Sequence, residues 1–169
     1  MTPPAITLRP LSRGEFDAFW SVQEVEYLDA VRTALPEDTA RAKVRDDLER
    51  LLPEGPDTPG HRLLGIEDEL GDVVGQVWLA LTDPRTGSTE VAWLYQIRIE
   101  EPFRRRGYAR AALRAVEGLA RDAGAQQLGL NVFGANTAAI ALYESCGYAV
   151  TTQQMARTLT GGTADIVER

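Results

Sequence analysis

The chain has 169 residues, 18 Lys+Arg against 25 Asp+Glu, and a formal net charge of −7. With 44 % hydrophobic residues it reads as a single globular domain over residues 1–169. The acidic balance argues against a nucleic-acid binder, and no uncharged apolar run approaches the ~20 residues of a spanning helix.

A single cysteine, Cys146, rules out an internal disulfide and a CxxC site, and a single histidine, His61, rules out a multi-histidine metal centre. The first residues, MTPPAITLRP, contain neither a basic n-region nor an apolar h-region. The expectation is therefore a cytoplasmic protein that uses no metal. Its chemistry would come from carboxylates, tyrosines, backbone amides and a bound cofactor.

In chain order, Ile6 and Leu8 alternate with polar residues up to Pro10, a short strand. Ser12 and Glu15 form a capping-box pair for a helix over about Gly14–Asp29, with Phe16, Phe19, Trp20, Val22 and Val25 as its apolar side. A second helix covers about Asp38–Leu52, carried by Val44, Leu48, Leu51 and Leu52. Strands follow at about Arg62–Glu67 and Val73–Leu81, joined by a hairpin turn at Gly71-Asp72. The next strand is Val91–Ile99. A helix over about Gly107–Asp122 shows a polar face of Arg110, Arg114, Glu117 and Arg121, opposite Tyr108, Ala112, Val116 and Leu119. The remaining elements are a strand at Gln127–Val132, a helix at Asn136–Cys146, a strand at Gln153–Leu159 and a polar tail, 160–169, expected to fray. The order β-α-α-β-β-β-α-β-α-β is α/β with a mixed sheet. Its strand–helix–strand unit from Val91 to Val132 is a right-handed crossover between parallel strands.

Two stretches carry chemical information. In Ile97-Arg-Ile-Glu-Glu-Pro-Phe-Arg-Arg-Arg-Gly-Tyr-Ala109 a strand ends, three arginines follow, and a helix opens at a glycine. The helix N-terminus exposes unpaired amides and the positive end of its dipole, and Gly107 has no Cβ to hold a ligand off the backbone. With Arg104, Arg105 and Arg106 alongside, this is chemistry for a pyrophosphate. In the second stretch Asn136 is a helix N-cap and Gly147 the residue after the helix end. Seven residues, two turns, separate Asn136 from Tyr143, so both lie on one side of that helix.

Arg104-x-x-Gly107-x-Ala109 resembles the [RQ]-x-x-G-x-[GA] loop of the GNAT superfamily of N-acetyltransferases. Asn136, Ala139, Tyr143, Gly147 and Tyr148 are similar to its second signature, N-x-x-A-x-x-x-Y-x-x-x-G-[FY]. The match runs from about Val73 to Leu159, with the cofactor motifs within about 91–148.

The resemblance implies the acyl-CoA N-acyltransferase fold. That fold has a mixed, mostly antiparallel sheet whose parallel pair splays around the cofactor, flanked by about four helices. It also implies an acetyl-CoA-dependent N-acetyltransferase whose primary-amine acceptor attacks directly in a ternary complex. Backbone groups at Ile97, Arg98 and Ile99, the loop Arg104, Arg105, Arg106, Gly107, Tyr108 and Ala109, and Asn136 with Ala139 would bind the cofactor. Tyr143 would protonate the departing thiolate.

The central strand contains no acid, which leaves Glu90 at its start, or Tyr95 or Gln96 positioning a water, as base candidates. The resemblance places the acceptor against the helices of about 12–52, where Trp20, Glu24, Glu26 and Tyr27 could wall the site, as could Trp78 and Trp93. Leu11–Pro59 carries twelve acids and six bases, a net −6 that would steer a cationic acceptor. A polyamine, an amino sugar, a free amino acid and a protein amine all fit. The alternative is a catalytically silent acyl-CoA sensor or interaction module. The expected partners are the amine acceptor, a small molecule or peptide, and, by resemblance, a second copy in a homodimer; no nucleic acid or membrane is expected.

Overall fold

The computed structural model describes residues 4–31, 36–155 and 157. Its contacts divide the chain into two compact units, Met1–Phe133 and Gly134–Arg169.

The first unit holds β1 (Ile6–Pro10), α1 (Arg13–Val31), α2 (Glu37–Leu51), β2 (His61–Asp68), β3 (Val73–Ala80), β4 (Val91–Ile99), α3 (Tyr108–Asp122) and β5 (Gln127–Leu130). The strands form one sheet in the order β1-β2-β3-β4-β5. The first three neighbouring pairs are antiparallel and β4–β5 is parallel, so the mixed sheet read from the sequence is the one observed. The helix between β4 and β5 is long enough to make that parallel crossover.

Local chemistry explains the elements. Glu15 accepts from the Ser12 amide at 2.7 Å while the Glu15 amide donates to Ser12 Oγ at 3.4 Å, a reciprocal capping box at the start of α1. Phe16, Phe19, Val44, Leu48, Leu52, Leu63 and Trp78 bring α1 and α2 onto one face of the sheet. Alternation puts the buried Leu64, Ile66, Val77 and Leu79 on the opposite face. There α3 packs with Ala112, Leu113, Val116 and Ala120. Leu119 is 37 % exposed, because the buried stripe runs through 112, 116 and 120 and Leu119 falls at its edge. Val22 and Val25, expected on the buried side of α1, are 37 % and 60 % exposed and instead line open cavities.

The Glu15 carboxylate also pairs with Arg9 at 2.7 Å, and this hydrogen bond brings its pKa down to about 2. A depressed carboxylate contributes stability that is present above its ordinary range and lost as pH falls towards about 2. Glu15→Gln should therefore lower the thermal midpoint near neutral pH. Its deficit should close on acidification, as melting curves across that window would show.

Gly75 faces Ile99 across β3–β4, and a Cβ there would stand 2.2 Å from the Arg98 carbonyl oxygen. Backbone cannot yield cheaply, so Gly75→Ala should cost about 1–3 kcal/mol in denaturant titration.

The second unit contains α4 (Thr137–Ser145). Residues 153–155 are irregular, and the rest of the strand expected at Gln153–Leu159 lies outside the described residues, apart from Arg157, which is also irregular. The 160–169 tail lies outside them too.

Candidate active site

Strand β4 changes partners part-way along. Trp78 faces Gln96 and Leu79 faces Leu94, so Tyr95 has no opposite number and forms a bulge. On the other side, pairing with β5 ends at Leu94↔Leu130, although β4 continues to Ile99. Among the described residues the sheet is thus open along the last five residues of β4. The Glu100 amide donates to Val74 O at 2.9 Å, which fixes the alternation. Arg98 and Glu100 turn their peptide groups to β3, and Ile97 and Ile99 turn theirs to the open edge. There the Ile99 carbonyl accepts from Arg104 Nε at 2.9 Å, tying the following loop to the strand end.

That loop has unusual backbone. Arg104 is extended, Arg105 is left-handed with φ 63°, and Gly107, the N-cap of α3, has φ 91°. A non-glycine residue in the left-handed region costs about 1–3 kcal/mol and clusters at ligand clamps. Such turns make concave nests of amides, and here the nest runs into the first turn of α3, where Tyr108 and Ala109 have no intrahelical acceptor. The Arg106 guanidinium lies over the Phe103 ring at 5.7 Å. The Tyr108 side chain turns away to Phe103 and Asp68, so it is the backbone of this residue that serves the nest. A Cβ on Gly107 would meet Pro4 Cδ at 3.1 Å.

In the second unit the Asn136 side chain accepts from the Ala139 amide at 3.1 Å, the expected cap of α4. At its other end the Tyr148 amide donates to Tyr143 O and the Gly147 amide to Glu144 O, both at 3.0 Å, with Gly147 at φ 93°. This is a Schellman ending, and its usual apolar contact is the Tyr143–Tyr148 ring pair, 5.7 Å between centroids. Tyr148 therefore braces Tyr143. Burial pushes the Tyr143 phenol above the ordinary tyrosine value, which keeps its proton on.

The acceptor candidates separate. Trp20 stacks on Phe16 at 5.6 Å as part of the α1 core. Tyr27 donates to Asp47 at 2.6 Å between α1 and α2. Glu24 lines a cavity of about 190 Å³ with Leu28 and Arg45. Trp78 and Trp93 are 3 % and 8 % exposed, core residues rather than an open wall. Trp78 donates to His61 Nδ1 at 2.9 Å, and burial lowers the His61 pKa. Tyr95 stacks on Trp78 at 4.4 Å. Glu90 is exposed at the start of β4, six residues from Gln96, roughly 20 Å along the strand. The structure does not bring it to the open edge.

What β4 does bring together is Gln96 and Arg98, with Gln76 and Glu100, around a cavity of about 170 Å³ that Val22 and Gln23 of α1 also line. Arg98 pairs with Glu26 at 2.8 Å. Gln23 and Gln76 were not singled out from the sequence. For Gln76 the signal is a polar side chain inside the apolar run VVGQVWLA; Gln23, beside Glu24 in α1, carries none.

Among the described residues no group of three or more His, Cys, Asp or Glu is placed to hold a metal, and no helix is long and apolar enough to cross a membrane.

The model of the acetyltransferase (GNAT) family matches residues 24–148. The chain belongs to that family. It is 34 % identical over 157 residues to each of two uncharacterized N-acetyltransferases of Bacillus subtilis (strain 168), YdgE and YycN. The alignments span 92 % and 91 % of this chain and 99 % of each relative. The crystal structure of YycN superposes with a TM-score of 0.81 at 32 % identity, covering 93 % of this chain and all of the other. An aminoglycoside N-acetyltransferase, AAC(6')-Iy, solved with CoA, shares the fold with a TM-score of 0.58 at 16 % identity, covering 94 % of this chain and 97 % of its own.

This GNAT acetyltransferase has the mixed sheet, the parallel β4–β5 pair and the four helices of the acyl-CoA N-acyltransferase fold among its described residues. Its family uses acetyl-CoA or CoA.

Proposed function

We propose that the protein moves an acetyl group from acetyl-CoA to a primary amine by direct attack, with both substrates bound together. The observation that carries this is the unpaired end of β4, residues 95–99, followed directly by the left-handed turns at Arg105 and Gly107. The edge offers peptide groups to an extended pantetheine arm. The nest and the first turn of α3, spanning Arg105–Ala109, offer amides to a pyrophosphate. Arg105 and Arg106 add charge, while Arg104 holds the loop to the strand. By the family resemblance, Asn136 and Ala139 would also contact the cofactor.

In the transfer, the neutral amine forms the new C–N bond and the thioester C–S bond breaks. The amine loses a proton to solvent through ordered water, Tyr143 gives its proton to the leaving sulfur, and the phenolate regains a proton from solvent. A phenol held protonated by burial suits that role. No carboxylate lies within β4, so the base is a water beside Tyr95 and Gln96 rather than a strand acid.

The test is CoA thiol release from acetyl-CoA across a panel of primary amines, with product mass confirming the added acetyl group. Binding of acetyl-CoA without release for any amine would favour a silent sensor. A domain that binds neither CoA nor acetyl-CoA would remove the reading.

A further inference from the structure

The cavity under α1 contains two polar atoms that no described residue satisfies. Gln23 Nε2 and Gln96 Oε1 are both buried and lack any hydrogen-bond partner in the structure. Both glutamines line the same space of about 170 Å³. An orphaned buried donor or acceptor costs about 1–3 kcal/mol, so two in one cavity call for an occupant. Their chemistry is complementary: one N–H to give and one carbonyl oxygen to receive. A carboxamide or peptide group presents the matching pair.

The charges around the space narrow the choice. Arg98 is the cation on its wall. It is engaged by Glu26 at 2.8 Å and lies 4.0 Å from Glu100, so two carboxylates surround one guanidinium. The local balance is negative, which favours an ammonium group and disfavours a carboxylate. Position supplies the last argument. Gln96 follows the Tyr95 bulge directly, at the point where β4 leaves β5 and its open edge begins.

We infer that this cavity is the acceptor pocket, and that its substrate is a small amine carrying a neutral carboxamide or peptide group, read by Gln23 and Gln96. The inference rests on the acetyltransferase reading above and adds its substrate class. In this arrangement Gln96 Oε1 accepts an N–H of the ligand and Gln23 Nε2 donates to its carbonyl oxygen. A free amino acid is disfavoured by the Glu26 and Glu100 carboxylates, and a plain alkylamine, with its nitrogen committed to the thioester, has no second polar group for the two glutamines.

The test has two arms. Without any CoA, the side-chain amide signals of Gln23 and Gln96 are followed by NMR while glycinamide, glycine or propylamine is titrated to millimolar levels. They are assigned on the wild-type protein by through-bond correlation to their own backbone resonances. Both signals should move with glycinamide and neither with propylamine. Unmoved signals, or equal movement with propylamine or glycine, would overturn the inference whatever the enzyme does with CoA. With saturating acetyl-CoA and rates referred to free base, glycinamide should exceed propylamine and glycine in kcat/KM by at least about tenfold. That ratio should collapse towards one in Gln23→Leu. A ratio preserved in a folded Gln23→Leu protein would remove Gln23 from recognition. Should a variant fail to fold, the wild-type titration decides. Absence of CoA binding, by contrast, would defeat the acetyltransferase reading and leave the glycinamide titration standing by itself.

Discussion

Replacing Tyr143 by phenylalanine should lower turnover roughly 10²-fold while the protein stays folded and still binds acetyl-CoA. The ring is what packs: it lies against Tyr148 at the Schellman end of α4, and phenylalanine keeps that contact. What is lost is the proton donor. The effect should fall mainly on kcat, because the donor acts as charge develops on sulfur. Burial raises the Tyr143 pKa, so a wild-type enzyme should keep its acid protonated through neutral pH and beyond the ordinary tyrosine value of about 10. The alkaline fall in kcat should lie above that value. A Tyr143→Phe enzyme retaining more than about half of wild-type kcat, when chemistry limits the rate, would leave solvent as the acid. A Tyr143 serving only as packing would show a small stability change and near-normal turnover.

Gly107→Val should weaken CoA binding at least about tenfold, a loss of about 1.4 kcal/mol. Two features of the site produce this. A β-branched residue cannot easily hold φ 91°, and its Cβ would press on Pro4 at 3.1 Å. Either the loop shifts, or a side chain enters the space above the amides of Arg105–Ala109. Both spoil the nest. Gly124→Ala provides the control, since Gly124 is also left-handed, with φ 93°, but ends α3 in open space. It should cost stability without changing CoA affinity. Calorimetry on folded variants decides the matter: equal affinity in Gly107→Val and wild type would move the pyrophosphate elsewhere.

Most of the local architecture was legible because its causes are local. The Ser12–Glu15 capping box, the Asn136 cap and the Gly147 helix end are each set by residues within a turn of one another. The extents of β3 and β4 and the strand–loop–helix order from Ile97 to Ala109 are likewise readable in the sequence. The helix expected over Gly14–Asp29 is α1, but its buried face is narrower than its apolar pattern. Val22 and Val25 satisfy the apolar pattern of α1 yet line cavities, and pattern alone cannot tell a core position from the wall of a binding site. Trp78 and Trp93 erred in the other direction. Aromatics that could wall an acceptor are buried in the sheet core.

The residues of this chain by themselves determined its α/β order, the family motifs and the absence of an acid within the central strand. Those are properties of composition and of spacings shorter than one element. Tertiary structure decided where β4 lets go of its neighbours. The Tyr95 bulge and the end of pairing at Leu94 depend on the register of three strands at once, and no single strand's sequence encodes that register. It likewise decided which glutamines share a cavity. Gln23 and Gln96 are more than seventy residues apart in the chain and meet only because α1 packs over β3 and β4. Their unmet hydrogen bonds exist only where folding has buried both side chains, so this feature arises from tertiary packing rather than from residue type.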